Sequence, residues 1–283
     1  MTRFESRRVS TPGATLDVQH YPGTGEPIVL LHGGPGMGNY LGSLADVLSP
    51  PFQVVTYDQR GCGNSTDNGS FALDEQVADL DGVRTSFGAE RVHLLGHSFG
   101  GLLAQLYAKA HPDRMASLVL CCSVANTGPK ISQMESRGIN ERVMKPPKRS
   151  NLAWGAGGLL MQFPGKVGDR GFGIALKQMM PNYVVRRELA PAFESWRASQ
   201  RAWRGTNASI KALGDDYLAD LTVAAPVLIV QGEQDVIRET NAVLAARFPS
   251  ARNVRIPDAA HFPWLEQPDA FIAAVLPFYR DFG

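Results

Sequence analysis

The chain has 283 residues, 44% of them apolar, enough for the core of one large domain carrying an insertion. With 28 Lys and Arg against 27 Asp and Glu, its net charge is +1, which gives no general attraction for polyanions and no expectation of a nucleic-acid partner. No stretch approaches the ~18 apolar residues of a membrane span, residues 1–8 lack the apolar segment of a secretory signal, and three cysteines, two of them adjacent (Cys121, Cys122), form no disulfide framework, so a cytoplasmic protein is expected.

In chain order, short apolar runs predict strands at residues 16–20, 27–31 and 53–57. A helix is expected over 73–87, where Val77, Leu80, Val83 and Phe87 recur at helical spacing and Asp74 and Glu75 suit the dipole of the first turn. A strand at 92–95 leads into Gly96-His97-Ser98-Phe99-Gly100, followed by a helix-like stretch over 101–110 and a strand at 118–122. Residues 127–214 break this rhythm: they are rich in Gly, Pro, Met and Trp and contain no clear strand. Strands return at 226–230 and 253–256, and a helix over 267–279 closes the chain. Alternation of this kind predicts a mostly parallel sheet covered on both faces, with 1–126 and 215–283 forming the core and 127–214 a helical cap. The cap holds 15 basic and 5 acidic residues, a net +10 against −9 for the remainder. The plainer reading is a solvated helical surface beside an acidic neighbour; the alternative is attraction of anionic ligands or of an acidic carrier protein.

Gly-x-Ser-x-Gly between a strand and a helix has the context of a nucleophile elbow, a tight turn that lifts the serine hydroxyl off the sheet. A serine hydroxyl needs a base, usually a histidine fixed by a carboxylate. His261 lies in the loop after strand 253–256, and Asp235 in the loop after strand 226–230, with Glu233 as a competing carboxylate. Loops at the carboxyl ends of strands are where such a sheet gathers its site. The order Ser98, Asp235, His261 is the one this elbow requires. The oxyanion is expected to rest on the backbone N–H groups of Phe99 and Gly34, the latter in the glycine-rich loop His32-Gly33-Gly34-Pro35-Gly36. His32 is expected to orient that loop, and His97 to pack or hydrogen-bond locally. Asp58-Gln59-Arg60-Gly61-Cys62-Gly63-Asn64-Ser65 follows another strand and is expected to brace the site through an Asp–Arg contact, with Cys62 a packed thiol. His20, His93 and His111 show no ligand spacing, so no metal is expected, and no cofactor is required. Of the cap aromatics Trp154, Phe163, Phe172, Tyr183, Phe193, Trp196 and Trp203, most are expected in the cap core and one or two at the acyl pocket.

These residues resemble the α/β-hydrolase superfamily across nearly the whole chain, which implies a mostly parallel eight-stranded sheet with helices on both faces and a helical cap insertion. The loop His32–Gly36 together with Asp58–Ser65 resembles more narrowly the proline iminopeptidase group of serine peptidases, which remove an N-terminal residue, usually proline, from short peptides. Two positions depart from that group. Its elbow usually reads Gly-Gly-Ser-Trp-Gly-Gly, whereas this one reads Gly96-His97-Ser98-Phe99-Gly100-Gly101, closer to esterases and lactonases. The group's cap pattern Gly-Pro-Asn-Glu corresponds to Gly205-Thr206-Asn207-Ala208, which leaves alanine where a glutamate would meet the substrate's ammonium. The resemblance then leaves Glu188 and Glu194 as substitutes, with Trp196 and Trp203 as further substrate contacts. The leading expectation is a serine hydrolase acting on a small ester, lactone or amide, with aminopeptidase action on short peptides as the alternative. Thioester release from a carrier and a non-catalytic ligand-binding role stand behind these.

Overall fold

A computed structural model describes residues 4–49, 51–125, 128–144, 151–191 and 198–282. Eight strands, β1 (Glu5–Thr11), β2 (Ala14–Tyr21), β3 (Ile28–Leu31), β4 (Val54–Tyr57), β5 (Val92–His97), β6 (Met115–Cys121), β7 (Val227–Gly232) and β8 (Arg252–Ile256), form one sheet in the order β1-β2-β4-β3-β5-β6-β7-β8. β2 is antiparallel to both its neighbours, and every other pairing is parallel. The order runs outward from β3 in two directions, placing β3 and β5 at the centre.

Helices α1 (Gly42–Leu48), α2 (Leu73–Ser86) and α3 (Phe99–Ala110) connect the first strands. Between β6 and β7 stand α4 (Pro129–Arg142), α5 (Asn151–Leu160) and α6 (Gly165–Met179), a helical insertion, and then α7 (Gln200–Ala212), which leads back to the sheet. α8 (Thr240–Arg247) joins β7 to β8, and α9 (Pro263–Glu266) and α10 (Pro268–Phe282) end the fold.

The two-residue period of the strands sorts the core into two layers. From β3, Val29 and Leu31 join Leu80 of α2 and Leu102 of α3 on one face. Ile28 and Leu30 join Leu44 of α1 and Phe271 and Val275 of α10 on the other. Both faces are covered, which is why β3 reads as an unbroken apolar run and β6, broken only by Ser117, is buried along its whole length rather than alternating.

β1 and α1 have no counterpart among the elements expected from the sequence. The first four residues of β1 are exposed and Val9 is its one buried apolar residue, so this edge strand depends on its antiparallel pairing with β2 rather than on a buried face. α1 is only seven residues long, with no side-chain cap, no acidic residue in its first turn and no basic one in its last. Among the described residues no helix is long and apolar enough to cross a membrane.

Candidate active site

The carboxyl ends of β3, β5, β6 and β8 lie at one end of the sheet, beneath the helical insertion, and each supplies a loop to the same cavity. At the end of β5 the chain turns into α3 through Ser98, which has φ 55° and ψ −121°, a backbone region that L residues seldom enter. The turn is held by β6: the Ser98 N–H donates to the Cys121 carbonyl at 3.1 Å, and the Val124 N–H to the Ser98 carbonyl at 3.0 Å. The flanking glycines make the turn possible. A Cβ on Gly96 would lie 2.4 Å from the Gly100 carbonyl oxygen, and one on Gly100 would lie 2.1 Å from that of Leu31.

Asp235 follows β7 and His261 follows β8. The His261 ring donates from Nδ1 to Asp235 Oδ1 at 2.7 Å, and both residues are buried. Asp235 also accepts from Gln231 Nε2 (3.2 Å) and from the Ile237 N–H (3.3 Å). Burial alone would raise the Asp235 pKa, but the charge and hydrogen bond of His261 and the two further donors outweigh it and hold the carboxyl below its ordinary value. An ionised carboxylate accepts only, so Nδ1 carries the imidazole proton and Nε2 is left to act as base. Ser98 and His261 line the same cavity. Glu233, the competing carboxylate, is exposed.

Phe99 opens α3, so its N–H is among the first-turn donors that have no acceptor within the helix and sits at the positive end of the helix dipole. Gly34 lies across the cavity with φ 58°. His32 secures its loop: Nδ1 donates to the Gly33 carbonyl (2.9 Å), Nε2 accepts from the Gln59 N–H (3.2 Å), and Gln59 Nε2 returns to the His32 carbonyl (2.8 Å). Burial holds its pKa below the ordinary histidine value, which keeps that tautomer neutral.

The expected Asp58–Arg60 contact is corrected. Asp58 braces the loops by itself, accepting from the backbone N–H groups of Asn39 and Asn64 at 2.7 Å each. Arg60 is buried and turns toward α2, where it donates to Asp79 at 2.7 and 2.9 Å and pairs with Glu75. The α2 face offers two carboxylates one helical turn apart, which suits the fork of a guanidinium better than one carboxylate already engaged by amides.

Cys62 packs with Phe71 and Ala202, and burial raises its thiol pKa to about 12. Cys121 and Cys122 are buried in the core. Among the described residues, Cys122, Asp235 and His261 form the one group of three side chains whose metal-binding atoms lie close together, within 4.8 Å of one another. Nδ1 of His261 is already committed to Asp235, and burial pushes the Cys122 thiol far from the thiolate a metal would need, so the group reads as an acid–base pair beside a packed thiol.

The cavity is about 520 Å³ and mostly apolar, a size suited to a small molecule. Trp154, Phe172, Tyr183 and Trp203 all line it, more aromatics than the one or two expected at the acyl pocket. Of the other candidate substrate contacts, Glu188 is exposed in a short 3₁₀ turn and does not line the cavity, while Glu194 and Trp196, with Phe193, lie outside the described residues. Ala208 is exposed on α7. Among the described residues, the carboxyl group that does line the cavity is Glu135 of α4, which sequence reasoning missed. Its Oε1 accepts from the Ala125 N–H at 3.0 Å, and burial raises its pKa to about 8. No local signal separates it from the exposed Glu141 of the same helix.

The alpha/beta hydrolase family model matches residues 28–274. The chain is similar to a proline iminopeptidase of Heyndrickxia coagulans, 25% identical over a 289-residue alignment that covers 95% of this chain and 96% of the relative. Among solved structures, it is similar to a proline iminopeptidase of Mycobacterium smegmatis, with 26% identity, a TM-score of 0.68 and 98% of each chain covered. A thermophilic esterase from Thermogutta terrifontis, at 23% identity, shares the fold with a TM-score of 0.68 over 98% of this chain and 99% of its own.

Proposed function

Because this chain belongs to the alpha/beta hydrolase family, we propose that it is a serine hydrolase working through an acyl-enzyme intermediate, and that its substrates are short peptides or amino-acid amides with a free N-terminus and an apolar first residue. The buried Asp235–His261 hydrogen bond at the mouth of the Ser98 elbow carries the mechanism. In this reading Ser98 Oγ attacks the substrate carbonyl while Nε2 of His261 takes the hydroxyl proton. Asp235 holds the ring and stabilises the imidazolium. The N–H groups of Phe99 and Gly34 receive the negative charge of the tetrahedral intermediate. His261 then passes its proton to the departing amine, and the same base activates water to release the acyl group.

The substrate class rests on two supports. The full-length relatives at 25% and 26% identity are named proline iminopeptidases. Among the described residues the apolar cavity also offers one carboxyl group, Glu135, as an acceptor for an ammonium and, above about pH 8 where it ionises, as its counter-charge. A second reading, a small ester or lactone, is favoured by Gly96-His97-Ser98 in the elbow, by alanine at 208 and by the basic insertion.

A substrate panel separates the two. Hydrolysis of L-prolyl p-nitroanilide together with loss of activity on its N-acetyl form establishes the need for a free amine. Efficient turnover of p-nitrophenyl butyrate or a γ-lactone, with both anilides inert, overturns the peptidase assignment and leaves the esterase.

A further inference from the structure

His97 is the elbow residue at which this chain departs from Gly-Gly-Ser, and it is fully buried. Its ring lies within 4.7 Å of the His261 ring and meets Trp264 edge-on at 4.8 Å, so its orientation is fixed by packing. Nε2 is 2.7 Å from the carbonyl oxygen of His261, and Nδ1 is 2.5 Å from Tyr40 Oη. Tyr40 Oη is in turn 2.8 Å from the backbone nitrogen of Gly33, next to the proposed oxyanion donor Gly34.

The protons along this chain can be placed in one way only. A carbonyl oxygen accepts, so Nε2 of His97 donates to His261. Nδ1 of the neutral ring must then accept, and the Tyr40 hydroxyl donates to it. That hydroxyl oxygen accepts the Gly33 N–H. Burial, and after it the neighbouring His261, hold the His97 pKa well below its ordinary value, so the ring stays neutral and the tautomer does not change through the neutral pH range.

We propose that His97 and Tyr40 are positioning residues: a hydrogen-bonded strut that runs beneath Ser98 and sets the spacing between the oxyanion loop and the loop bearing His261. The two loops leave the sheet at β3 and β8, on opposite sides of β5, and share no strand pairing. Acyl transfer needs the oxyanion donors and the imidazole placed together to a fraction of an ångström, and an error of ~1 Å costs up to about 10²-fold. The strut supplies this registration from inside the elbow. Glycine at position 97 has no side chain with which to make it. Neither residue exchanges a proton with substrate.

The inference rests on Ser98 and His261 acting as proposed above, and labelling of Ser98 by a fluorophosphonate tests both levels separately. The variants are Tyr40→Phe, which keeps the ring and removes both hydroxyl bonds, His97→Leu, and His97→Gln, whose amide retains a donor for His261 and an acceptor for Tyr40. Tyr40→Phe and His97→Leu should each slow Ser98 labelling and lower kcat on the best substrate of the panel by about 10- to 100-fold, with KM within about threefold. The double variant should lose no more than the worse single one, because both changes cut the same chain. His97→Gln should recover activity to within about fivefold of the parent. Urea unfolding of each variant identifies any loss caused by a failure to fold, and Tyr40→Phe remains the decisive variant if His97→Leu does not fold. If the parent itself is not labelled, the assignment of Ser98 falls, and the strut with it. If the parent is labelled and folded Tyr40→Phe is labelled at the same rate, or if KM rises while kcat holds, the strut is refuted and the catalytic assignment stands.

Discussion

Replacing Glu135 by glutamine should stabilise the protein in alkaline solution and weaken its hold on a cationic substrate. Burial raises this carboxyl's pKa to about 8 from an ordinary 4.5. Between those two values the folded state keeps a proton that the unfolded state has released, so stability falls as pH rises through the window and levels off above it. At about 1.4 kcal/mol for each pH unit of the window, the full effect is about 5 kcal/mol. The neutral acid and the amide have nearly the same shape, and glutamine Oε1 can still accept the Ala125 N–H, so the two proteins should be about equally stable near pH 5. The Tm of Glu135→Gln should then pull ahead, by on the order of 10 °C at pH 8.5 for a chain of this length. Asp235 does not confuse the comparison. Its pKa is lowered, so its contribution is present above its unfolded value and is lost only in more acidic solution. At pH 9, where the carboxyl is ionised, the same substitution should raise KM for prolyl p-nitroanilide by about 10- to 100-fold, the worth of one charge-assisted hydrogen bond, with a smaller effect below pH 7, and leave p-nitrophenyl butyrate untouched. Thermal melts at half-unit pH intervals and Michaelis kinetics on both substrates are the assays. Parallel melting curves from pH 5 to 9 would refute the buried-carboxyl argument, and an unchanged KM for the free amine would remove Glu135 from substrate binding.

Three further changes test the site and its frame. Ser98→Gly should abolish turnover yet stabilise the fold by about 1 kcal/mol, the relief of a residue at φ 55° less the added chain entropy of glycine, as read from urea midpoints. Asp235→Asn should lower kcat on the order of 10⁴-fold with KM changed only a few-fold, because the amide cannot stabilise an imidazolium; single-turnover kinetics check this. Arg60→Met should cost about 3–5 kcal/mol by leaving Asp79 charged and buried, and adding Asp79→Asn should recover most of the loss in the same unfolding assay.

What the sequence made legible is what short-range rules write. The elbow announces itself because Gly96 and Gly100 must be small within five residues of chain, and Asp235 and His261 because each follows a strand end at a loop. The features that escaped depend on distance along the chain. Tyr40 and His97 meet from 57 residues apart, and Glu135 differs from Glu141 only in what α4 packs against. The Asp58–Arg60 error has the same origin: adjacency suggested a pair, whereas the choice of partner was made by α2, whose Glu75 and Asp79 the loop residues do not reveal. β1 went unseen because an edge strand with one buried apolar side chain carries no period-two signal.

That division bears on specificity. The residues proposed to perform the chemistry sit at turns whose geometry is written locally, so they can persist while the surroundings change. The residues that would choose between an amide with a free amine and a neutral ester, Glu135 and the aromatic lining, belong to the helical insertion and to long-range packing. The elbow's histidine and the cavity's glutamate therefore answer different questions. A loss of rate on every substrate in His97 variants, beside a loss confined to free-amine substrates in Glu135→Gln, would place positioning in the sheet and selectivity in the insertion. A loss common to all substrates in both sets would show that one cavity wall serves both ends, and the separation would have to be given up.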